Sequence, residues 1–226
     1  MDGGAEEVFP AEVLLFEDGF SADGSFTFCG QMCTVQQVFS ASLGVAASVW
    51  DAALHLCRFF ENSSLDLKGK RVIELGAGTG FVSILAARLG ACVTLTDLPL
   101  VIPQAAQNIE ANTPPTGWPS EAPVAVPLTW GQDQENFSSD WDFVLGTDII
   151  YMPETFPRLL DTLVHLCRGG ATVYLSSKMR REHRTQDFYD HWLPQRFEVE
   201  LVQREPEENI NIYRAALRLN ESCSRT

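Results

Sequence analysis

The sequence predicts an α/β fold: a doubly wound, mostly parallel seven-stranded sheet with an antiparallel hairpin at its edge and a small β-hairpin extension at its N-terminal end. Three observations predict it. Five strand-like runs alternate with helical ones, which implies crossover connections and a parallel sheet. Two further runs follow each other directly, which implies an antiparallel closing pair. A glycine-rich turn, E-L-G-A-G-T-G at residues 74–80, joins the first of the alternating strands to its helix.

In chain order, "SFTFCGQMCTVQQVF" (residues 25–39) alternates around Gly30 like a hairpin. "GVAASVWDAALHLCRFFEN" (44–62) carries Val45, Val49, Ala53, Leu56 and Phe60 at helical spacing, with Trp50 on the same helix. Strands are then expected at 71–75, 92–96, 124–128, 143–147, 172–176, 197–203 and 210–217, and helices at 80–89, 100–112, 154–167 and 185–193. The loop "TPPTGWPSEAP" is a Pro-rich excursion within the domain. We divide the chain into an acidic N-terminal arm and hairpin (1–43) and a main domain (44–226). A chain of 226 residues with 45% hydrophobic content can bury a full core for one such domain.

Net charge is −14, unevenly distributed. No Lys or Arg precedes Arg58, whereas Asp2, Glu6, Glu7, Glu12, Glu17, Asp18, Asp23 and Asp51 all do. Phosphate binding draws its affinity from Lys and Arg, so free nucleic acid is a poor partner and a basic protein a better one; the alternative reading is that the acids only keep a short flexible arm solvated. The sign reverses at "SKMRREHR" (177–184), which reads as a solvated loop. No apolar run reaches the roughly 20 residues of a membrane span, and the acidic start is unlike a signal peptide. A cytoplasmic monomer is expected. The six cysteines form no C-x-x-C pair and lie mostly in apolar segments, pointing to reduced, buried thiols and to no metal site.

In an open α/β sheet the ligand sits beyond the carboxyl ends of the strands, where the glycine turn lets backbone approach it. The dinucleotide fingerprint places its third glycine where this chain has Phe81; here Gly80 arrives one residue early. Asp97 closes the next strand, and a carboxylate accepting two ribose hydroxyls serves either NAD or S-adenosylmethionine. The E-L-G-A-G-T-G pattern resembles motif I of S-adenosylmethionine-dependent methyltransferases.

"VWDAA", "ELGAGTG", "TDLP", "LTWG" and "GTDIIYMPETF" occur in the order that resembles the family 16 seven-β-strand lysine methyltransferases, and the likeness runs from about Val8 to Arg218. It implies the class I, Rossmann-like methyltransferase fold, S-adenosylmethionine as cofactor with S-adenosylhomocysteine as product, and a protein lysine as acceptor. It points further to elongation factor 1-alpha as the substrate. Gly76, Ala77 and Gly78 would run against the cofactor, Asp97 would hold its ribose, and Thr147 would lie beside it. Glu74 would fix the turn or reach the cofactor's ammonium through water. Trp50 reads as core from composition alone and, with the resemblance, as a wall closing over the cofactor; Trp130 reads as a loop anchor or a cover for the adenine. Thr147 and Ser83 depart from the family's more usual Ala and Gly.

Asp148 and Tyr151 belong to the D-I-I-Y run. A lysine amine has an unperturbed pKa of about 10.4 and must lose a proton before attacking a methyl group. A carboxylate alone would stabilise the ammonium. Asp148 therefore reads as an anchor for the substrate lysine or for a proton-accepting water, and Tyr151 as a group that aligns the amine. A strand-end acid capping the next helix is the other reading of Asp148. A small-molecule methyltransferase and a cofactor-binding interaction module are the alternative functions.

Overall fold

The computed structural model describes residues 20–63 and 65–218; the acidic residues before Phe20 and Cys223 lie outside them. The chain opens with an antiparallel pair, β1 (Phe20–Phe28) and β2 (Gln31–Phe39). Its two-residue turn has positive φ at both Cys29 and Gly30, the geometry whose twist matches a hairpin. The pairing reaches five residues further back than the predicted start at Ser25.

The main sheet has seven strands in the order β5-β4-β3-β6-β7-β9-β8. These are β3 (Arg71–Leu75), β4 (Cys92–Asp97), β5 (Val124–Pro127), β6 (Phe143–Thr147), β7 (Thr172–Lys178), β8 (Phe197–Glu205) and β9 (Ile210–Leu217). Strands β3 to β7 are mutually parallel and β9 runs antiparallel to both β7 and β8, as expected, but the alternation breaks between β5 and β6, whose connection holds a 3-10 turn over Gln134–Asn136 and no α-helix. From β3 the chain winds outward to β4 and β5, then returns to β6 on the other side of β3. The switch point therefore falls between the carboxyl ends of β3 and β6.

Helices α1 (Asp51–Asn62), α2 (Phe81–Arg88), α3 (Ile102–Ala111) and α4 (Phe156–Leu166) cover the sheet. Residues 81–87 of α2 are all buried. A helix apolar all round needs cover on both sides, and here the hairpin supplies the second layer, with Phe26 and Phe28 against Phe81. Cys33 and Val35 of β2 enter the same core as α2.

Two predicted helices differ. The run 44–62 is not one helix: Gly44–Ala47 forms a 3-10 turn, Trp50 is extended, and α1 starts at Asp51. The Val49 N–H is taken by the Gln37 side chain at 2.9 Å instead of a helical carbonyl, and the Trp50 indole N–H donates to the Val45 carbonyl at 2.8 Å. The run 185–193 becomes a short α turn, a π turn over Phe188–Trp192 and a 3-10 turn over Leu193–Gln195. The wide turn lets Tyr189 stack on Tyr213 at 3.8 Å and hydrogen-bond Ser177 at 2.7 Å.

The hairpin is fastened to α3 by side-chain amides. Asn112 and Asn108 each accept from and donate to the backbone of one β2 residue, Thr34 and Gln36 respectively, at 2.6–3.1 Å. Gln104 accepts from Val38 N–H at 3.0 Å and donates to the Ala46 carbonyl at 3.1 Å. Residues four apart on a helix rise about 6 Å, close to the roughly 6.6 Å of two strand residues, so successive amides meet successive outward-facing peptides. Asn108 also donates to Thr79 O at 2.9 Å beside the glycine turn. Asn108→Ala should cost about 2–3 kcal/mol of stability by stranding buried backbone groups. Urea unfolding would measure that loss, and faster amide exchange at Gln36, whose N–H the Asn108 side chain holds, should accompany it.

Candidate active site

A cleft of about 350 Å³ opens at the switch point, within the range of small-ligand sites. Its floor is the carboxyl edge of the sheet, and its cover is the segment between the hairpin and α1, from Val45 to Trp50. The turn after β3 needs glycine at three places, Gly76, Gly78 and Gly80, of which the first two line the cleft. A Cβ on Gly76 would lie 2.6 Å from Ile149 Cγ2 and 3.6 Å from Trp130 Cζ2, and one on Gly78 would lie 3.3 Å from the Ala46 carbonyl oxygen. All three have positive φ. The turn is thus a backbone cradle with an indole beside it.

Asp97 at the end of β4 is fixed by two backbone donors, Gly78 N–H at 2.8 Å and Leu98 N–H at 2.7 Å. Burial pushes its carboxyl above the usual range, and those two bonds pull the other way. Each carboxylate oxygen retains acceptor capacity toward the cleft. Glu74 is fully buried behind the turn, where the Ser83 hydroxyl donates to it at 2.5 Å. Of the two roles open to Glu74, this contact is the turn-fixing one: it ties β3 to α2. Ser83, the departure from glycine, supplies the bond. Burial raises the Glu74 pKa to about 7, against the pull of the Ser83 bonds.

All the predicted site residues converge on this cleft: Trp50, Gly76, Ala77, Gly78, Asp97, Trp130, Thr147, Asp148 and Tyr151 line it. Trp50 does so from an extended residue ahead of α1, not from a helix face. Thr147 ends β6, paired with Ser176 of β7. Asp148 follows in the left-handed region (φ 54°), and its side chain is 8% exposed. It caps no helix: one carboxylate oxygen accepts Lys178 N–H at 3.0 Å and the other accepts Arg180 Nη1 at 3.0 Å. Tyr151 lies edge-on to His183, 6.3 Å between ring centres, and burial raises its phenol pKa.

The basic run expected to be a solvated loop is divided. Arg181, Glu182 and Arg184 are exposed, whereas the Lys178 and Arg180 side chains are largely covered, Arg180 at 16%. Arg180 also lies over the Trp50 indole, 5.6 Å from its centre. With His183 and Arg158 it lines the cleft, and reading the sequence missed all three. The available signal was position: the run leaves the carboxyl end of a parallel strand, the edge where ligands bind. Among the described residues no group of three or more His, Cys, Asp or Glu could hold a metal, and no helix is long and apolar enough to cross a membrane.

A parallel sheet with a glycine cradle after β3, an acid closing β4 and an acid–tyrosine pair after β6 defines a class I methyltransferase. The chain belongs to the lysine methyltransferase family, whose sequence model matches residues 31–192. It is 52% identical over 93% of its length to mouse EEF1A lysine methyltransferase 3, of which it covers 89%. The Xenopus tropicalis protein of that name is 50% identical, with 94% of each chain covered. Zebrafish protein N-lysine methyltransferase METTL21A is 43% identical, with 93% of each covered. Among solved structures, a T. thermophilus 16S rRNA N2 G1207 methyltransferase in complex with AdoMet and guanosine shares the fold: TM-score 0.64, 17% identity, 88% of this chain and 51% of that one. The protein is therefore a lysine methyltransferase of the class I fold.

The Glu74 environment gives a pH signature. Its folded pKa lies above the ordinary 4.5, so the native state holds an extra proton between 4.5 and about 7, and stability falls as pH rises through that window. The difference corresponds to about 3 kcal/mol. Glu74→Gln should remove that slope, which chemical denaturation of both proteins at pH 5 and pH 8 would show.

Proposed function

We propose that the cleft binds S-adenosylmethionine across the switch point and presents it to a lysine of elongation factor 1-alpha. The observation that carries this reading is one cavity lined at one part by the glycine cradle and Asp97, and at another by Asp148 and Tyr151. The fit to the cofactor rests on the cradle, which a Cβ would fill, and on a buried carboxylate with spare acceptor sites for ribose hydroxyls. Bound there, S-adenosylmethionine supplies a methyl group on a positively charged sulfur.

The chain's own residues do the rest. Gly76, Ala77 and Gly78 offer backbone at close range, and Trp50, Trp130 and Thr147 wall the ligand and exclude water. Asp148 orients the incoming amine and Tyr151 aligns it, so rate comes chiefly from proximity and orientation. The substrate reading is supported by the mouse and frog relatives, whose names specify EEF1A lysine. The formal charge of −14 also suits a basic partner. Within the division at residues 43 and 44, the main domain carries the chemistry and the hairpin holds its cover.

Asp97→Ala should weaken S-adenosylmethionine binding by one to two orders of magnitude, from the loss of about 1.5–3 kcal/mol of charge-assisted hydrogen bonding. Asp148→Ala should leave that affinity within a few fold and depress methyl transfer strongly. Calorimetry and single-turnover transfer on the same preparations separate the two.

Purified elongation factor 1-alpha, incubated with the enzyme and labelled cofactor, should gain label at one lysine by mass spectrometry, more slowly as ionic strength rises. Label reaching other proteins but never this factor would refute the substrate and leave the enzyme class standing.

A further inference from the structure

The acid assigned to the substrate amine does not face the cleft as a bare charge. Both Asp148 oxygens are engaged, one by a backbone N–H and one by a guanidinium, and both side chains of the pair are shielded from water. Arg180 is held from a second side by the Trp50 indole face, so its position spans the floor and the cover of the cleft. The remaining titratable side chains lining the cavity are Glu74, Asp97, Tyr151, Arg158 and His183. Behind them, Lys178 Nζ lies 3.9 Å from Asp51.

At pH 7 only roughly one lysine amine in a few thousand is neutral. An unpaired carboxylate at hydrogen-bonding distance would reduce that fraction by a further one to three orders of magnitude, because it stabilises the ammonium. A carboxylate already paired with arginine carries no net charge as seen by the incoming lysine, yet it still accepts a hydrogen bond. Arginine does not titrate in the working range, so the neutralisation holds at every pH the enzyme meets.

We propose that Arg180 is a positioning residue for methyl transfer: it keeps Asp148 charge-neutralised, so that the carboxylate orients the substrate amine without retaining it as an ammonium. This rests on the reading that Asp148 meets the lysine. The ammonium first gives its proton to solvent. The nitrogen lone pair then forms the N–C bond as the C–S bond of the donor breaks, and the positive charge passes from sulfur to nitrogen.

The test is the pH dependence of single-turnover methyl transfer to elongation factor 1-alpha, on variants first shown by calorimetry to bind cofactor. Arg180→Met should raise the pKa governing the rate by about one to two units, making transfer roughly 10- to 100-fold slower at pH 7, with the gap closing only as pH passes the wild-type pKa and approaches the raised one. Arg180→Lys, which keeps the charge, should retain the wild-type pH profile. Asp148→Asn added to Arg180→Met should bring the pKa back even if the rate stays low, since the charge left unpaired has been removed. A uniformly slower Arg180→Met enzyme with an unchanged pKa would overturn the proposal in favour of mere packing on Trp50. A lower KM at unchanged kcat would overturn it in favour of Arg180 occupying the lysine's place. A wild-type enzyme that labels no lysine would overturn the reading beneath, and the inference with it.

Discussion

The amide ladder between α3 and β2 is the contact on which the rest of the site depends. A two-stranded hairpin has an outer edge of unpaired peptide groups, and burying that edge against a helix strands them unless side chains answer. Gln104, Asn108 and Asn112 answer in register: the two asparagines offer both the donor and the acceptor that a neighbouring strand would have offered, and Gln104 offers the acceptor. Arg88 reinforces the same edge, donating to the carbonyls of Met32 and Asn112. Once β2 is held, Phe26 and Phe28 seal α2, and Gln104 fixes the Ala46 carbonyl directly above Gly78. The height of the cleft over the glycine cradle is thus set by a helix that itself lies outside it.

Much of this was legible in the sequence. Alternating strand and helix patterns allow few topologies once crossovers must be right-handed, so the parallel order and the closing hairpin followed. The glycine spacing, the acid closing the next strand and the D-I-I-Y run each named residues that the fold brings into one cavity. Their distance along the chain, from Trp50 to Tyr151, is what a switch point collapses.

The failures share a cause: in each, a partner distant in sequence decides a local matter. The apolar stripe through residues 44–62 is helical by spacing, but Gln37 captures the Val49 N–H and breaks it. The amides at 104, 108 and 112 lie four apart on one helix face, and nothing near them in sequence gives them a role, because their β2 partners lie 66 to 78 residues away. The run from Lys178 to Arg184 likewise reads as solvated, and Arg180 leaves water only because Asp148 and Trp50 receive it. Ser83 looks like a neutral substitution until Glu74 is found buried against it.

The two sides of the cleft use different chemistry for a physical reason. The cover is held chiefly by amides, which do not titrate and whose burial costs little once both ends are paired. The sheet edge carries the charges: Asp97, Asp148 and Arg180. Buried charges are expensive to desolvate and contribute little net stability even when paired, so they belong where a reaction moves charge and a fixed field lowers its barrier. Methyl transfer to an amine moves a positive charge from sulfur to nitrogen, and in the proposed reading the acceptor amine meets the part of the cleft that Asp148 and Arg180 line. An ion pair in the cover would add the same desolvation cost without facing that charge. Placing Asp97, Asp148 and Arg180 at the sheet edge, whose carboxyl ends are fixed by parallel pairing from β4 through β7, ties their positions to that hydrogen-bonded frame.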